Sequence, residues 1–202
     1  MLSLLLAVSL SVPSNIATRV LPVVGEDLGP IATATVLSKR YMLTNAHVVE
    51  DAKAVLVGCG TLLIAGRVVG VAPKDDLALL KLDFDCPLAQ ASPVALKNPE
   101  LGVSHYVVGY PTRQFAVRHG VVAGYKESHG YRDTTEHVGL TDAAVWPGSS
   151  GGPVLNESGE IIGIVMAYIS RPMEDGSRGV AHLGVFVTAE SVHAFLKSMK
   201  YE

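Results

Sequence analysis

The sequence predicts an all-β fold of two β-barrels, and three observations carry that expectation. Tight-turn residues are abundant, with 20 glycines and 11 prolines in 202 residues. Between them lie Val-, Ile- and Thr-rich runs of strand length, about six on each side of a proline-broken stretch. A helical spacing of apolar residues stands out only near the C-terminus. Apolar residues form 49% of the chain and charged residues 17%, enough to fill a sizeable core.

Residues 1–20 are expected to be a leader. "MLSLLLAVSLSV" is apolar for about a dozen residues, too short for a membrane-crossing helix. It has the character of a secretory h-region, with Ala7, Ser9 and Ser11 near a cut. No Lys or Arg precedes it, the first basic residue being Arg19, so a first strand of the fold is the alternative. The leader reading implies export to the periplasm or medium; without it a cytoplasmic location stands.

The first barrel is expected over 21–85. "IATATVLSKRYMLTNAHVV" reads as a hairpin of Ile31 to Val36 and Tyr41 to Thr44, turning at Ser38-Lys39-Arg40. "KAVLVG" and "TLLIAGRVVGV" form a second pair about Gly58 and Gly60. "DDLALLKLDF" has the composition of a strand buried on both faces. The three prolines of "CPLAQASPVALKNPELG" mark an inter-barrel linker at 86–100. The second barrel and a closing helix, 101–202, take "SHYVVGYPT", "FAVRHGVVAGYKE", "HVGLTDAAV", "EIIGIVMAYI" and "GVAHLGVFVT", then "AESVHAFLKSM". In that last stretch Val192, Phe195 and Met199 are spaced at three and four.

A formal charge of −3 and a pI near 6.1 give no electrostatic footprint for nucleic acid. No histidine cluster has metal-ligand spacing, and no cofactor is expected. His105, His119, His129, His137, His182 and His193 are assigned to structure or surface.

The chemistry concentrates in "WPGSSGGPVLNESGEIIGI". Acyl transfer at a serine needs a base, an acid to orient it, and paired N–H groups for the developing oxyanion. Gly148, Gly151 and Gly152 leave the backbone around Ser150 bare enough to supply those donors. The same residues fit the nucleophile elbow of α/β-hydrolases, but that turn leads into a helix. Here Pro153 and a strand-like run follow instead. The order His, acid, Ser is met upstream by His47 in "LTNAHVV" and Asp76 in "DDLALLKL", with Asp75 as rival acid.

With these blocks in place, the chain resembles the trypsin-like, chymotrypsin-fold serine proteases, closest to the bacterial high-temperature-requirement branch. "TNAHVV", "DLALLKL" and "TDAAVWPGSSGGPVLNESGEIIGI" carry the likeness; "VVGYP" and "GVFVTAESVHAFL" extend it from about Ile31 to Met199. The resemblance implies two perpendicular six-stranded antiparallel barrels with the site at their junction, acting on polypeptide. It makes Ser150 the nucleophile, His47 the base and Asp76 the orienting acid. The oxyanion donors would be Gly148 and Ser150, with Ser149 adding its own N–H. Ala144 would floor the primary pocket and Val165, Met166, Ala167 and Tyr168 would wall it. With no acidic group at that floor, cleavage is expected after small or medium apolar residues. A latent or proteolytically silent barrel pair is the alternative. The branch carries Asn where Trp146 and Ser149 stand; Trp146 either packs on the second barrel or shapes the cleft. No peptide-binding domain is expected after the second barrel.

Cys59 and Cys86 are the only cysteines. If "TLLIAGRVVGV" and "LALLKLDF" pair about a turn near Pro73 to Asp76, partner numbers sum to roughly 149 and Cys86 falls opposite about Leu63. Cys59 then lies a few residues out of register. A bridge, which needs Cα atoms about 4.4–6.8 Å apart, is permitted but not required; two free thiols are the alternative.

Overall fold

A computed structural model describes residues 15–50, 52–127, 137–169 and 183–201. Its strands close into two barrels of six strands each. The first comprises β1 (Val20–Val24), β2 (Pro30–Val36), β3 (Tyr41–Thr44), β4 (Ala54–Cys59), β5 (Leu62–Ala72) and β6 (Leu77–Leu82). The second comprises β7 (Ser104–Gly109), β8 (Ala116–Glu127), β9 (His137–Thr141), β10 (Pro153–Asn156), β11 (Ile161–Ile169) and β12 (Leu183–Thr188). The neighbour order is β1-β2-β3-β6-β5-β4 in the first and β7-β8-β9-β12-β11-β10 in the second, one topology used twice with every pairing antiparallel. Closure gives every described strand a neighbour on both sides. Helix α1 (Ala189–Ser198) follows β12 directly, its first turn capped by the Thr188 hydroxyl, which accepts from the Ser191 N–H.

Strand periodicity explains how both sides of these strands are buried. Along β6, Ala78, Leu80 and Leu82 fill the first barrel, while Leu77 and Leu79 face outward into a layer shared with the second. That layer also holds Leu43 of β3, Tyr106 and Val108 of β7, and Val192, Phe195 and Leu196 of α1. The second barrel's interior is built from Val107, Val122, Val154, Ile162, Val165 and Phe186, among others.

Residues 15–20, which the expected leader included, belong to the folded unit. Ile16 is buried, the Arg19 guanidinium donates to Ser92 Oγ at 2.7 Å and to the Gly159 carbonyl at 3.0 Å, and Val20 opens β1. The run up to residue 14 lies outside the described residues, as do His129 and His182. The linker divides its contacts. Cys86 and Ala89 pack in the first barrel, whereas the Ala95 N–H and the Pro93 carbonyl bond to Ile161 of the second.

The β5–β6 register follows the expected sum near the turn, with Ala72 opposite Leu77 and Gly70 opposite Leu79. A bulge between Val68 and Gly70 then moves it by one, so that Gly66 meets Leu82. That shift carries the chain after β6 toward Leu62, the partner of Cys59 in β4–β5. Cys59 and Cys86 are joined in a disulfide with Cα atoms 5.9 Å apart, both residues buried.

Candidate active site

His47 sits in a short 3-10 turn, Ala46–Val48, immediately after β3. Asp76 closes the β5–β6 turn and has φ of 51°, an unusual left-handed conformation for aspartate. It is buried, and its carboxylate grips His47 twice. Oδ1 accepts the His47 backbone N–H at 2.9 Å, and Oδ2 lies 2.7 Å from the ring Nδ1. The Asn45 side chain donates to the Asp76 carbonyl at 2.9 Å and ties the two turns together. Of the two candidate acids, Asp76 is therefore the one that meets the imidazole through its side chain. Beside them lies a cleft of about 510 Å³ lined by Ala46, Val49, Glu50, Val68, Val71 and Pro73. Sequence reasoning did not mark this cleft, because Val68 and Val71 look like ordinary strand residues.

Ser150 stands on the other barrel, between β9 and β10. Trp146 to Ser149 form a turn closed by the Ser149 N–H on the Trp146 carbonyl at 2.9 Å. Proline at its second position and Gly148 with φ of 98° at its third make the type II pattern. The Pro147 carbonyl accepts from the Thr112 N–H at 2.9 Å. Across a planar trans peptide the Gly148 N–H must point the opposite way. Neither that N–H nor the Ser150 N–H has an acceptor among the described residues. The Ser149 N–H, expected as a third donor, is spent inside the turn.

Space explains the glycines. A Cβ on Gly148 would come within 2.3 Å of the Tyr110 carbonyl oxygen; one on Gly151, where φ is 81°, within 2.1 Å of the Thr33 carbonyl oxygen. Backbone from both barrels closes on this loop, and only residues without side chains fit.

The Ser150 hydroxyl makes no hydrogen bond to a described residue, so the acid–imidazole contact is formed and the imidazole–hydroxyl contact is open. Such contacts are commonly loose without substrate. Trp146 is 41% exposed. Ala144 is exposed, and Ala167 and Tyr168 are partly so. Val165 and Met166, expected in the pocket wall, are buried instead. Val165 faces the second barrel's interior and Met166 the shared layer, leaving Ala167 and Tyr168 as the more open of the four.

Two six-stranded barrels with His and Asp on one and a glycine-wrapped Ser on the other define a class. The trypsin-like peptidase domain pattern matches residues 32–164, and the chain belongs to that family. Over 141 residues it is 36% identical to a probable periplasmic serine endoprotease DegP-like of Pseudomonas putida, covering 66% of this chain and 28% of the relative. It is 34% identical over 151 residues to the serine protease Do-like HtrA of Bacillus subtilis, covering 70% and 33%. The chain thus spans about a third of such relatives, or less. Among solved structures it resembles the Rv3671c protease of M. tuberculosis in its inactive form, with a TM-score of 0.76 and 25% identity over 92% of each chain. The active form of that protease matches at 0.73 and 26%, covering 91% of this chain and 82% of the other. An HtrA-type protease, AlgW, with a decapeptide, matches at 0.70 and 26%, covering 85% and 51%.

Proposed function

We propose that the chain is a serine endopeptidase working through an acyl-enzyme. The observation that carries this reading is the double grip of Asp76 on His47, on the backbone N–H and on the ring. A carboxylate at Nδ1 keeps that nitrogen protonated and leaves Nε2 as the base. Ser150 Oγ gives its proton to Nε2 and bonds to the scissile carbonyl carbon. The oxyanion then accepts from the Gly148 and Ser150 N–H groups, which have no acceptor among the described residues. His47 passes the proton to the departing amine, and water repeats the cycle on the ester. Ala144, Ala167 and Tyr168 offer the primary pocket no acidic group, which favours small or medium apolar residues before the cut. The buried disulfide and the periplasmic designation of the relatives support export.

The test is labelling with a fluorophosphonate alongside peptide hydrolysis. Wild type should take the label at Ser150. Ser150→Ala should take none, and Ser150→Ala and His47→Ala should each lose roughly four to six orders of magnitude in hydrolysis while staying folded. A folded wild type that neither labels nor cleaves any peptide would favour the silent-module alternative, to which the open Ser150–His47 contact also speaks.

A further inference from the structure

We infer that Thr33, on the opposite barrel from Ser150, is the positioning residue that sets the oxyanion turn. This rests on the reading of Gly148 and Ser150 as oxyanion donors. Thr33 lies in β2 and is wholly buried. Its neighbours Ala32 and Ala34 point into the first barrel, so its own side chain points across the seam. There the hydroxyl makes two bonds whose polarity is fixed by chemistry. The Tyr110 N–H can only donate, at 3.0 Å, so the hydroxyl proton goes to the Gly148 carbonyl, at 2.8 Å.

Each partner is one end of the same device. Tyr110 leads through Pro111 to Thr112, whose N–H holds the Pro147 carbonyl. The Gly148 carbonyl belongs to the peptide whose other end, the Ser149 N–H, is bonded to Trp146. Both peptides flanking Gly148 are thereby clamped, the first by Thr112 and the second by Thr33 and Trp146. Clamping both fixes the direction of the Gly148 N–H. The Thr33 backbone extends the grip, because its N–H donates to the Ser150 carbonyl at 2.8 Å. Glycines on the second barrel make room for this side chain. A Cβ on Gly109 would meet Thr33 Oγ1 at 2.7 Å, and one on Gly152 would meet its Cγ2 at 3.4 Å. Thr44, whose hydroxyl donates to the Thr33 carbonyl at 2.9 Å, braces it from behind.

Replacing Thr33 by valine keeps the shape and removes the hydroxyl. The Gly148 carbonyl and the Tyr110 N–H then lose their shared partner, and turning the Gly148 peptides to find new ones withdraws an oxyanion donor. A lost donor acts on the transition state and leaves substrate affinity alone. Thr33→Val should lower kcat about 10- to 100-fold, somewhat less than outright removal of a donor, with KM within about threefold. A peptide boronic acid, whose tetrahedral adduct on Ser150 places an oxygen in the same hole, should bind more weakly by a similar factor. Thr33→Ser, which keeps the hydroxyl, should recover most of the loss in both readouts.

Thermal unfolding checks that the variants are folded; if the valine variant is not, Thr33→Ala replaces it in the same comparison with serine. The inference is overturned if valine retains kcat within about twofold, if serine is as impaired as valine, or if the loss falls on KM. A wild type that neither cleaves nor labels would sink the catalytic reading instead. In that case the amide resonance of Gly148 still decides the latch. It should shift on Thr33→Val and return on Thr33→Ser, and an unmoved resonance overturns it.

Discussion

Lowering the pH from 7.5 to 4.5 should weaken this protein through one buried side chain that takes no part in the proposed chemistry. His105 in β7 is fully buried. Its Nε2 lies 2.7 Å from Thr141 Oγ1, which also accepts the Ala143 N–H at 2.9 Å, and the Phe186 ring stands edge-on at 6.3 Å. Nδ1 is buried with no hydrogen-bond partner among the described residues. A protonated imidazole would carry an N–H there, away from water. Burial therefore pulls the pKa down from 6.5 to about 4; the Val103 backbone and the carboxylate of Asp142 work against this and His119 with it. The unfolded chain takes up the proton below 6.5 and the folded chain only below about 4. Stability from this residue is thus complete above 6.5 and falls as pH drops through the window between the two values. The slope is at most about 1.4 kcal/mol per pH unit, and the full loss about 3 kcal/mol. His105→Gln keeps a partner for Thr141 and cannot titrate. Urea unfolding of both proteins at steps across this range should give curves that converge toward acid, the wild type losing about 2–3 kcal/mol more than the variant. Curves that stay parallel would refute the reasoning, since all other titrating groups are common to both.

Two further outcomes are expected. The Cys59–Cys86 bridge spans a sequence separation of 27, so reduction or Cys86→Ser should cost nominally about 3–4 kcal/mol; an unfolding midpoint indifferent to reductant would contradict this, as would two free thiols in denatured, unreduced protein. Peptide-library cleavage should favour Val, Ala or Leu before the scissile bond, because an Arg or Lys at the Ala144 floor would be buried unpaired at several kcal/mol; a profile dominated by Arg or Lys would exclude the proposed pocket.

What the sequence disclosed follows from the range of each interaction. Strands with turn residues at their ends were legible because their signals are local, as the hairpin of β2 and β3 shows. Strand β1 was not marked separately, because its apolar run adjoins the leader-like segment and has the same composition. The β5–β6 register was legible near the turn and lost at the bulge by Val68, which no local residue announces. Asp75 and Asp76 are chemically equivalent, and the sequence separates them by family resemblance alone. Only the left-handed turn at Asp76 aims one carboxylate at His47. Val165 and Met166 lie in "EIIGIVMAYI", apolar on both faces, which cannot tell an inward residue from a pocket wall. Thr33 and Thr35 alternate like ordinary half-buried strand residues. Their partners, the carbonyls of Gly148 and Gly151, are distant in sequence, and a hydroxyl's partner leaves no periodic trace.

The junction between the barrels joins two kinds of contact with different tolerances. Apolar packing of Leu43, Leu77 and Leu79 against Tyr106 and Val108 acts as glue, indifferent to small rotations. The threonine hydroxyls set into the glycine loop act as a key, which fits in one orientation only. Registry between the halves is then set by the key together with the linker, which is itself fastened to Ile161 through Pro93 and Ala95. A lost hydroxyl in β2 is then expected to leave two halves that stay glued together while their chemistry lines up less well.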